Sequence, residues 1–470
     1  MSNITSGLHE CQPEIIRQRV QDAGVVGAGG AGFPTHVKLA AHAEIYLVNA
    51  AECEPLLQVD QQLAVCEADA LIRGLLYAMR ATEAKEGIIA IKGKYQTAIN
   101  ILNSRLPDTL RLYILPDVYP AGDEVITIWL ATGRRVPPAA LPLSVGVVVS
   151  NVQTLINVAY AVEQEQAVTH RVLTVNGAVH HPLTVSVPVG TSLREVLALA
   201  GGSSISNPAY INGGPMMGKL QISLDDPVTK TTGGLLVLPD DHILIQRRTR
   251  SERTVINQAR TVCEQCGMCT ELCPRHMIGH ELPPHLIVRA VGYEQVSAPS
   301  AVVAALTCSE CAICEAWSCP VEISPMRLNQ ILKVKLREEG IRYEGELRSE
   351  DPMAQHRMLP VKRLVRRLEL TEFMHKAPMK MERYMPQRVI IPLRQHIGSP
   401  AIPVVSEGDK VTVGMLIAVV PEKALGAPVH ASISGVVRHI DSLAVTIEKE
   451  WVCTAQLQWL SFPVLPKEWK

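Results

Sequence analysis

Over the first 150 positions, short apolar runs alternate with longer stretches whose apolar residues recur at helical spacing. Residues 44–50 (EIYLVNA), 87–91, 110–115 and 146–150 (GVVVS) are compact and rich in branched side chains, which predicts buried strands. Between and around them, 13–23, 61–80, 95–105 and 124–132 read as helices, with Ile15, Ile16 and Val20 expected on one face of the first. Another helix is expected to begin at Asn151. This alternation predicts an α/β layer fold. From 170 to 240 the pattern changes. Runs at 173–175, 183–187 and 235–238 sit between Gly and Pro punctuation, with one helix near 192–200, as in a small separate domain. Residues 389–450 show short strands divided by glycines, which suits a β-rich module. The expected boundaries are 1–168, 169–245, 246–335, a charged helical linker at 336–388, and 389–470. In the linker Lys362, Arg363, Arg366 and Arg367 stand close together, as on a solvated helix face or a partner-docking patch.

Charge narrows the possibilities. The 470 residues carry 45 basic and 46 acidic side chains, and no block of one sign runs far, so no nucleic-acid partner is expected. No stretch reaches the length of about 18 apolar residues that a membrane span requires. Residues 1–12 lack the basic and apolar regions of a secretory signal, so a cytoplasmic protein is expected.

Twelve cysteines change the picture more. Cys11, Cys53, Cys66 and Cys453 are scattered and read as ordinary thiols, whereas eight crowd into 263–319. A chain of this length needs no disulfide staples. Cys263-Glu-Gln-Cys266-Gly-Met-Cys269-Thr-Glu-Leu-Cys273-Pro274 is C-x2-C-x2-C-x3-C-P without a gap. That spacing lets successive thiolates curl around one cubane face, and in two-cluster ferredoxins the fourth cysteine of each run ligates the other cluster. Two [4Fe–4S] clusters are therefore expected, one on Cys263, Cys266, Cys269 and Cys319, the other on Cys308, Cys311, Cys314 and Cys273. The second run ends in a gap longer by one residue (Cys314-Glu-Ala-Trp-Ser-Cys319-Pro320), which a small bulge could absorb. Zinc is the competing ligand for paired C-x2-C units, but two triplets each followed by Cys-Pro favour iron–sulfur.

Clusters pass single electrons, so a donor and an acceptor are needed. Gly27-Ala-Gly29-Gly30-Ala31-Gly32-Phe33-Pro34-Thr35 formally contains the dinucleotide fingerprint G-x-G-x-x-G. It lacks a long preceding strand and an acidic residue about 20 positions on, so a flavin or phosphate cradle fits better. With Lys38, this loop resembles the FMN loop of the NADH-oxidising subunit of respiratory complex I, and more closely that of RnfC-like electron-transfer subunits. Tyr46-Leu-Val-Asn49-Ala-Ala-Glu52-Cys-Glu54-Pro55, Tyr119-Pro-Ala-Gly122-Asp123-Glu124 and Val148-Val-Ser150-Asn151-Val-Gln-Thr154 resemble the next three motifs of that family, in order.

The resemblance implies site roles. Gly27, Gly29, Gly30 and Gly32 would let the backbone approach FMN, and Lys38 would neutralise the flavin or its phosphate. Asn49 and Asn151 would hydrogen-bond the cofactor, with Asp123 and Thr154 in the same binding set. Phe33 would stack near the nicotinamide of NADH, and Glu52, Glu54 and Glu124 would line that pocket, with Glu54 and Glu124 as catalytic candidates. Ala28, Ala51 and Ser150 stand where the complex I pattern has Arg, Asp and Asn.

Further motifs extend the resemblance. Val175-Asn176-Gly177 and Ile211-Asn212-Gly213-Gly214-Pro215-Met216-Met217-Gly218 are similar to the ubiquitin-like SLBB segment. Residues 391–398, 407–411 and 428–435 resemble a lipoyl-like barrel-sandwich module, which leads the chain in RnfC-like subunits and follows the other segments here. The implied fold class is a multidomain α/β protein: an FMN-binding α/β domain, an SLBB domain, a helical two-cluster ferredoxin-like domain and a C-terminal β-rich barrel-sandwich module. This order resembles the cobalamin reductases of propanediol-utilisation microcompartments. The family implies an NADH-dependent oxidoreductase passing electrons through FMN and two clusters to cobalamin. It also implies a corrin-binding adenosyltransferase and shell proteins as partners, and a place inside a microcompartment. Two alternatives stay open on sequence: an RnfC-type subunit serving another acceptor or a membrane complex, and a non-catalytic cluster-bearing scaffold.

Overall fold

A computed structural model describes residues 11–30, 32–293, 299–380 and 382–450. Residues 1–10, on which most of the expectation about a secretory signal rests, lie outside the described residues, as do Ala31 and Cys453.

The first domain is built on a four-stranded parallel sheet. Its strands are β1 (Ile45–Ala50), β2 (Glu86–Lys92), β3 (Leu110–Leu115) and, after the two-residue β4 (Val118–Tyr119) outside the sheet, β5 (Val147–Asn151); the order is β3-β2-β1-β5. Parallel strands need crossovers that cover both faces, so β1, β2 and β5 are apolar on both sides, while the edge strand β3 leaves Arg111 and Ile114 exposed. Tyr46, Val48, Ala50, Ile89 and Ile91 enter one core, and Ile45, Leu47, Ile88 and Ala90 enter the other.

Among the described residues, seven helices surround the sheet: α1 (Pro13–Asp22), α2 (Thr35–Leu39), α3 (Val59–Cys66), α4 (Ala68–Thr82), α5 (Gln96–Asn103), α6 (Glu124–Thr132) and α7 (Val152–Gln164). The helix expected over 61–80 is two, broken at Glu67. In α1, Ile16 and Val20 are fully buried while Ile15 is exposed, so the apolar face is narrower than expected. Helices α4 and α7 cross so closely at Gly74 that a Cβ there would stand 1.9 Å from the Leu155 carbonyl oxygen. Leu71, Leu75 and Leu155 fill that contact, each worth roughly 1.5–3 kcal/mol when fully buried.

The second domain is a mixed sheet of β6 (His170–Gly177), β7 (Leu183–Pro188), β8 (Pro208–Asn212), β9 (Lys219–Gln221) and β10 (Gly234–Pro239), ordered β7-β6-β10-β8-β9. Its helix α8 (Leu193–Leu199) starts with a capping box, Ser192 and Glu195 each bonding the other's backbone N–H.

The expectation of a charged helical linker at 336–388 needs correction. The helix Pro325–Glu338 ends there, and 341–350 follow without helix or strand. Leu359–Pro360 then pairs antiparallel with β4, Val361–Arg367 forms a short helix, and Met379–Lys380 adds a parallel strand to the free edge of β7. Pro352, Pro360 and Pro378 prevent one continuous helix. Leu359, Val361, Leu364, Val365, Leu368, Leu370 and Phe373 bury themselves in the core of the second domain. The segment is a strap across two domains. Lys362, Arg363, Arg366 and Arg367 occupy its outer face, exposed.

The C-terminal module holds two small sheets, with Arg388–Pro392, Ala444–Glu448, Gly435–Ile440 and Lys410–Val411 in one and Ile402–Pro403, Leu416–Val419 and Val429–His430 in the other. It packs back onto the first two domains. The Ile390 N–H donates to the Gly190 carbonyl, and the Ile397 N–H donates to the Gly32 carbonyl at 3.2 Å. Among the described residues no helix is long and apolar enough to cross a membrane.

Candidate functional site

The glycine-rich loop closes on itself just ahead of α2. The Gly27 N–H donates to the Phe33 carbonyl and the Thr35 N–H to the Val25 carbonyl. Gly29 and Gly30 are exposed at the tip. A Cβ at Gly30 would meet nothing within 4 Å, and one at Gly29 would reach Asn151 at 3.4 Å. Gly32 serves another purpose: at φ +66 it lies against His396, Thr231 and Gln395, so it seats the C-terminal module rather than opening the cradle.

Beneath the loop lies the carboxyl end of the parallel sheet, where ligands of α/β proteins bind. Asn49 of β1 and Asn151 of β5 are register partners there. Asn49 donates to the Gly122 carbonyl and accepts from the Ala51 N–H. Asn151 caps α7 by accepting from the Gln153 N–H and donates to Asp60 at 2.8 Å. Thr154 Oγ1 accepts from the Ala28 N–H at 2.9 Å, pinning the loop. Lys38 donates to the Val149 carbonyl at 2.9 Å and stands 3.5 Å from Glu124, which is open to solvent.

Three acidic candidates are engaged elsewhere than in an open pocket. Glu52, at φ +39, caps α3 by accepting from the Asp60 and Gln61 N–H groups. Burial, with the nearby charge of Asp60, raises its carboxyl pKa far above the ordinary carboxylate range. Burial raises that of Asp60 too, opposed by the Asn151 hydrogen bond and the Arg171 charge. Glu54 clasps the second domain, its two oxygens accepting from the Met216 and Met217 N–H groups at 2.9 Å each. Asp123 caps α6 through Oδ1 and pairs through Oδ2 with Arg275 at 2.9 Å. Only Glu124 of the acidic candidates is left facing outward beside the loop.

Arg171, which sequence reasoning missed, reaches under the loop from β6. Its Nη2 donates to the Ala28 carbonyl at 2.9 Å and its Nε to the Thr232 carbonyl, while its buried Nη1 has no partner. The available signal was a lone arginine inside an apolar strand, which must find a partner when buried. Thr35 Oγ1 and Gln153 Oε1 are likewise buried without partners near the loop. An open glycine tip, a lysine, an arginine and unpartnered polar atoms at the strand ends fit a flavin with its phosphate.

The cysteines ring two cavities. One is lined by Cys273, Cys308, Cys311 and Cys314, the other by Cys263, Cys266, Cys269 and Cys319. Each set takes its fourth cysteine from the opposite run. Both runs repeat one backbone pattern: Gln265 and Gly267 in the first, Glu310 and Ala312 in the second, have φ between +53 and +76. The extra residue of the second run is absorbed by one wide turn over Cys314–Ser318, closed by the Cys319 N–H on the Cys314 carbonyl five residues back. Among the described residues, no three His, Cys, Asp or Glu side chains gather around a single ion-sized point. Burial lifts the Cys269 and Cys273 thiols to about 12 and those of Cys311 and Cys314 far above their ordinary value. Such thiols become thiolates only when metal replaces their protons, which is the chemistry of a cluster site and not of a nucleophile.

The cavity of Cys308 adjoins the first domain. The Tyr119 hydroxyl donates to the Cys311 carbonyl at 2.8 Å, and Arg275, which lines that cavity, holds Asp123. The other cavity borders solvent, with Cys266 exposed.

Comparison with known proteins assigns each part. The Nuo51 FMN-binding domain matches residues 20–160, the SLBB domain 172–220, a 4Fe-4S dicluster domain 262–324 and the RnfC barrel sandwich hybrid domain 372–455. The chain is 61% identical to Cobalamin reductase PduS of Citrobacter freundii, covering 94% of this chain and 98% of that one. It is 62% identical to the protein of the same name from Salmonella typhimurium, covering 92% and 96%. Against one component of the Na(+)-translocating ferredoxin:NAD(+) oxidoreductase complex of Acetobacterium woodii the identity is 35%, over 57% of this chain and 60% of that component. An NAD+-reducing [NiFe]-hydrogenase of known structure is 22% identical with a TM-score of 0.47, covering 72% of this chain and 66% of that one.

Proposed function

The chain belongs to the cobalamin reductases, RnfC-like relatives of the NADH-oxidising subunit of complex I, and on that premise we propose how its own residues divide the work. It is an NADH-dependent oxidoreductase that passes electrons from NADH through FMN and two [4Fe–4S] clusters to a corrin, taking cob(II)alamin to cob(I)alamin. Bound FMN supplies the exchange between hydride and single-electron chemistry, and the clusters supply one-electron carriage.

The chain's part is to hold, orient and separate. Gly27, Gly29 and Gly30 let the backbone come close to the flavin. Lys38 and Arg171 hold its negative charge, Arg171 standing in for the cation lost at Ala28. Asn151 and Thr154 fix the loop and the strand end around it, while Asn49 holds the backbone at Gly122. Phe33 and Glu124 border the approach of the nicotinamide. Cys308, Cys311, Cys314 and Cys273 hold one cluster, and Cys263, Cys266, Cys269 and Cys319 the other.

One observation carries this reading. The Cys308 cavity is tied to the flavin-type domain through Tyr119 and the Asp123–Arg275 pair, whereas the Cys266 side opens to solvent. That arrangement supports a relay with its entry at the first set and its exit at the second. We further propose that a corrin-binding adenosyltransferase takes up the product at the exit, with the protein working inside a microcompartment among shell proteins.

The test is an anaerobic NADH titration of protein reconstituted with FMN, iron and sulfide, followed by absorbance before and after adding cob(II)alamin. Bleaching of the flavin and cluster bands, then their recovery on adding the corrin, is the expected result. Bleaching without recovery moves the acceptor elsewhere. No bleaching by NADH overturns the donor assignment.

A further inference from the structure

Asn329 lies on the helix Pro325–Glu338 and is 1% exposed. Its side chain lines the same cavity as Cys273, Cys308, Cys311 and Cys314. Neither its amide nitrogen nor its amide oxygen has a hydrogen-bond partner in the protein. Leaving such a buried group unsatisfied forfeits its hydration with nothing in return, so an asparagine kept this deep requires a partner. The rest of the cavity wall is mostly apolar or sulfur, with Leu282, Pro284, Ala312 and Met326 among its members.

The polar groups beside Asn329 on its own helix are already committed. Lys333, one turn along the helix, donates to the Cys308 carbonyl at 2.6 Å and to Glu310 at 2.7 Å. Gln330 also donates to Glu310. Arg275, also on the cavity wall, is paired with Asp123 through Nη2, while its buried Nε has no partner in the protein. The Glu310 N–H points at the Cys308 sulfur at 3.4 Å. What remains as an acceptor for the amide N–H is the sulfur of a cluster held in the cavity.

We propose that Asn329 is a positioning residue of this site, its amide N–H donating to a sulfur of the cluster held by Cys308, Cys311, Cys314 and Cys273 and raising that cluster's reduction potential. The proposal rests on the cluster assignment above. Its physics is general: a donor to cluster sulfur stabilises the more negative, reduced state. Among the described residues, the second cavity has no counterpart. Its histidine, His285, is bonded to Thr270, its polar Glu264 and Gln265 are exposed, and none of its lining residues is a buried, unpartnered polar group.

The experiment is a redox titration followed by electron paramagnetic resonance on the reconstituted full chain, wild type against Asn329→Leu. Wild type should show two reduction steps. In the variant one step should move to lower potential and the other stay. At the wild-type midpoint the reduced-to-oxidised ratio of the affected cluster should fall about tenfold, equivalent to about 59 mV for one electron. Asn329→Ser, which restores a short donor, should recover part of the shift. Pulsed resonance on wild-type protein carrying 15N-labelled asparagine should detect a nitrogen coupled to one cluster, a readout that survives even if the leucine variant does not assemble. Two steps with neither moved by the variant, or no coupled asparagine nitrogen, overturns the role of Asn329. No cluster step in wild type would instead overturn the cluster assignment itself.

Discussion

At the scale of single residues, the most informative group is the carboxyl pair beneath the glycine-rich loop. Glu52 and Asp60 are both half-buried, and desolvation, with the charge of Asp60 beside Glu52, raises the pair above the ordinary carboxylate range, Glu52 to about 8. Both values are raised, so the folded state binds protons that the unfolded chain would release. Their contribution to stability is therefore complete below the ordinary carboxylate range and is lost as pH rises through about 8. Glu52→Gln should flatten the fall in melting temperature between about pH 5 and pH 8, most visibly at the alkaline end. A curve parallel to wild type would refute this. A second residue-scale prediction concerns Gly267, whose φ is +76 and whose missing Cβ would meet nothing. Gly267→Ala should cost only backbone strain, about 1 kcal/mol in denaturant unfolding. Ala312 already occupies the matching slot of the second run.

At the scale of elements, Asp123 joins two jobs in one carboxylate: it caps α6 and holds Arg275 across a domain boundary. Asp123→Ala should destabilise by about 3 kcal/mol, roughly 1 from the cap and the rest from leaving Arg275 half-buried and unpaired. Arg275→Ala in the Asp123→Ala background should cost less than it does alone, which a double-mutant cycle would measure. Where α4 crosses α7, Gly74→Ala forces a methyl into a backbone carbonyl and should cost about 2–3 kcal/mol. Local elements were legible in the sequence because strands apolar on both faces and helix starts at Asp123 and Asn151 are written in adjacent residues. The cysteine spacing likewise pointed to two four-membered sets. Long-range partners were not legible. Nothing near Glu54 signals that it will clasp Met216 and Met217, and nothing near Arg171 names the Ala28 carbonyl 143 positions away. The strap was misread because its charges are exposed on one side while its apolar residues, spaced irregularly between prolines, fill a distant core.

At the scale of the whole molecule, three modules meet at the glycine-rich loop. Lys230 of the second domain is fully buried and donates to the Gly24 carbonyl at 2.7 Å and to the Pro428 carbonyl of the C-terminal module at 3.1 Å. Gln395 accepts from the Lys230 N–H, and burial lowers the lysine to about 7. Lys230→Met should loosen this junction. Hydrogen exchange should quicken at 24–34 and 427–431 and stay unchanged in the parallel sheet; equal exchange at both would count against the junction. The way the C-terminal module is docked has a consequence for ancestry. Its seat is the turn around Gly24 and Gly32, reached in space rather than through the covalent bond that precedes it. Coding segments for this module could therefore be shuffled from one end of a gene to the other while the assembled shape was retained, provided a strap like 341–388 came with the move. Module order along the chain and module arrangement in space are free to evolve separately here.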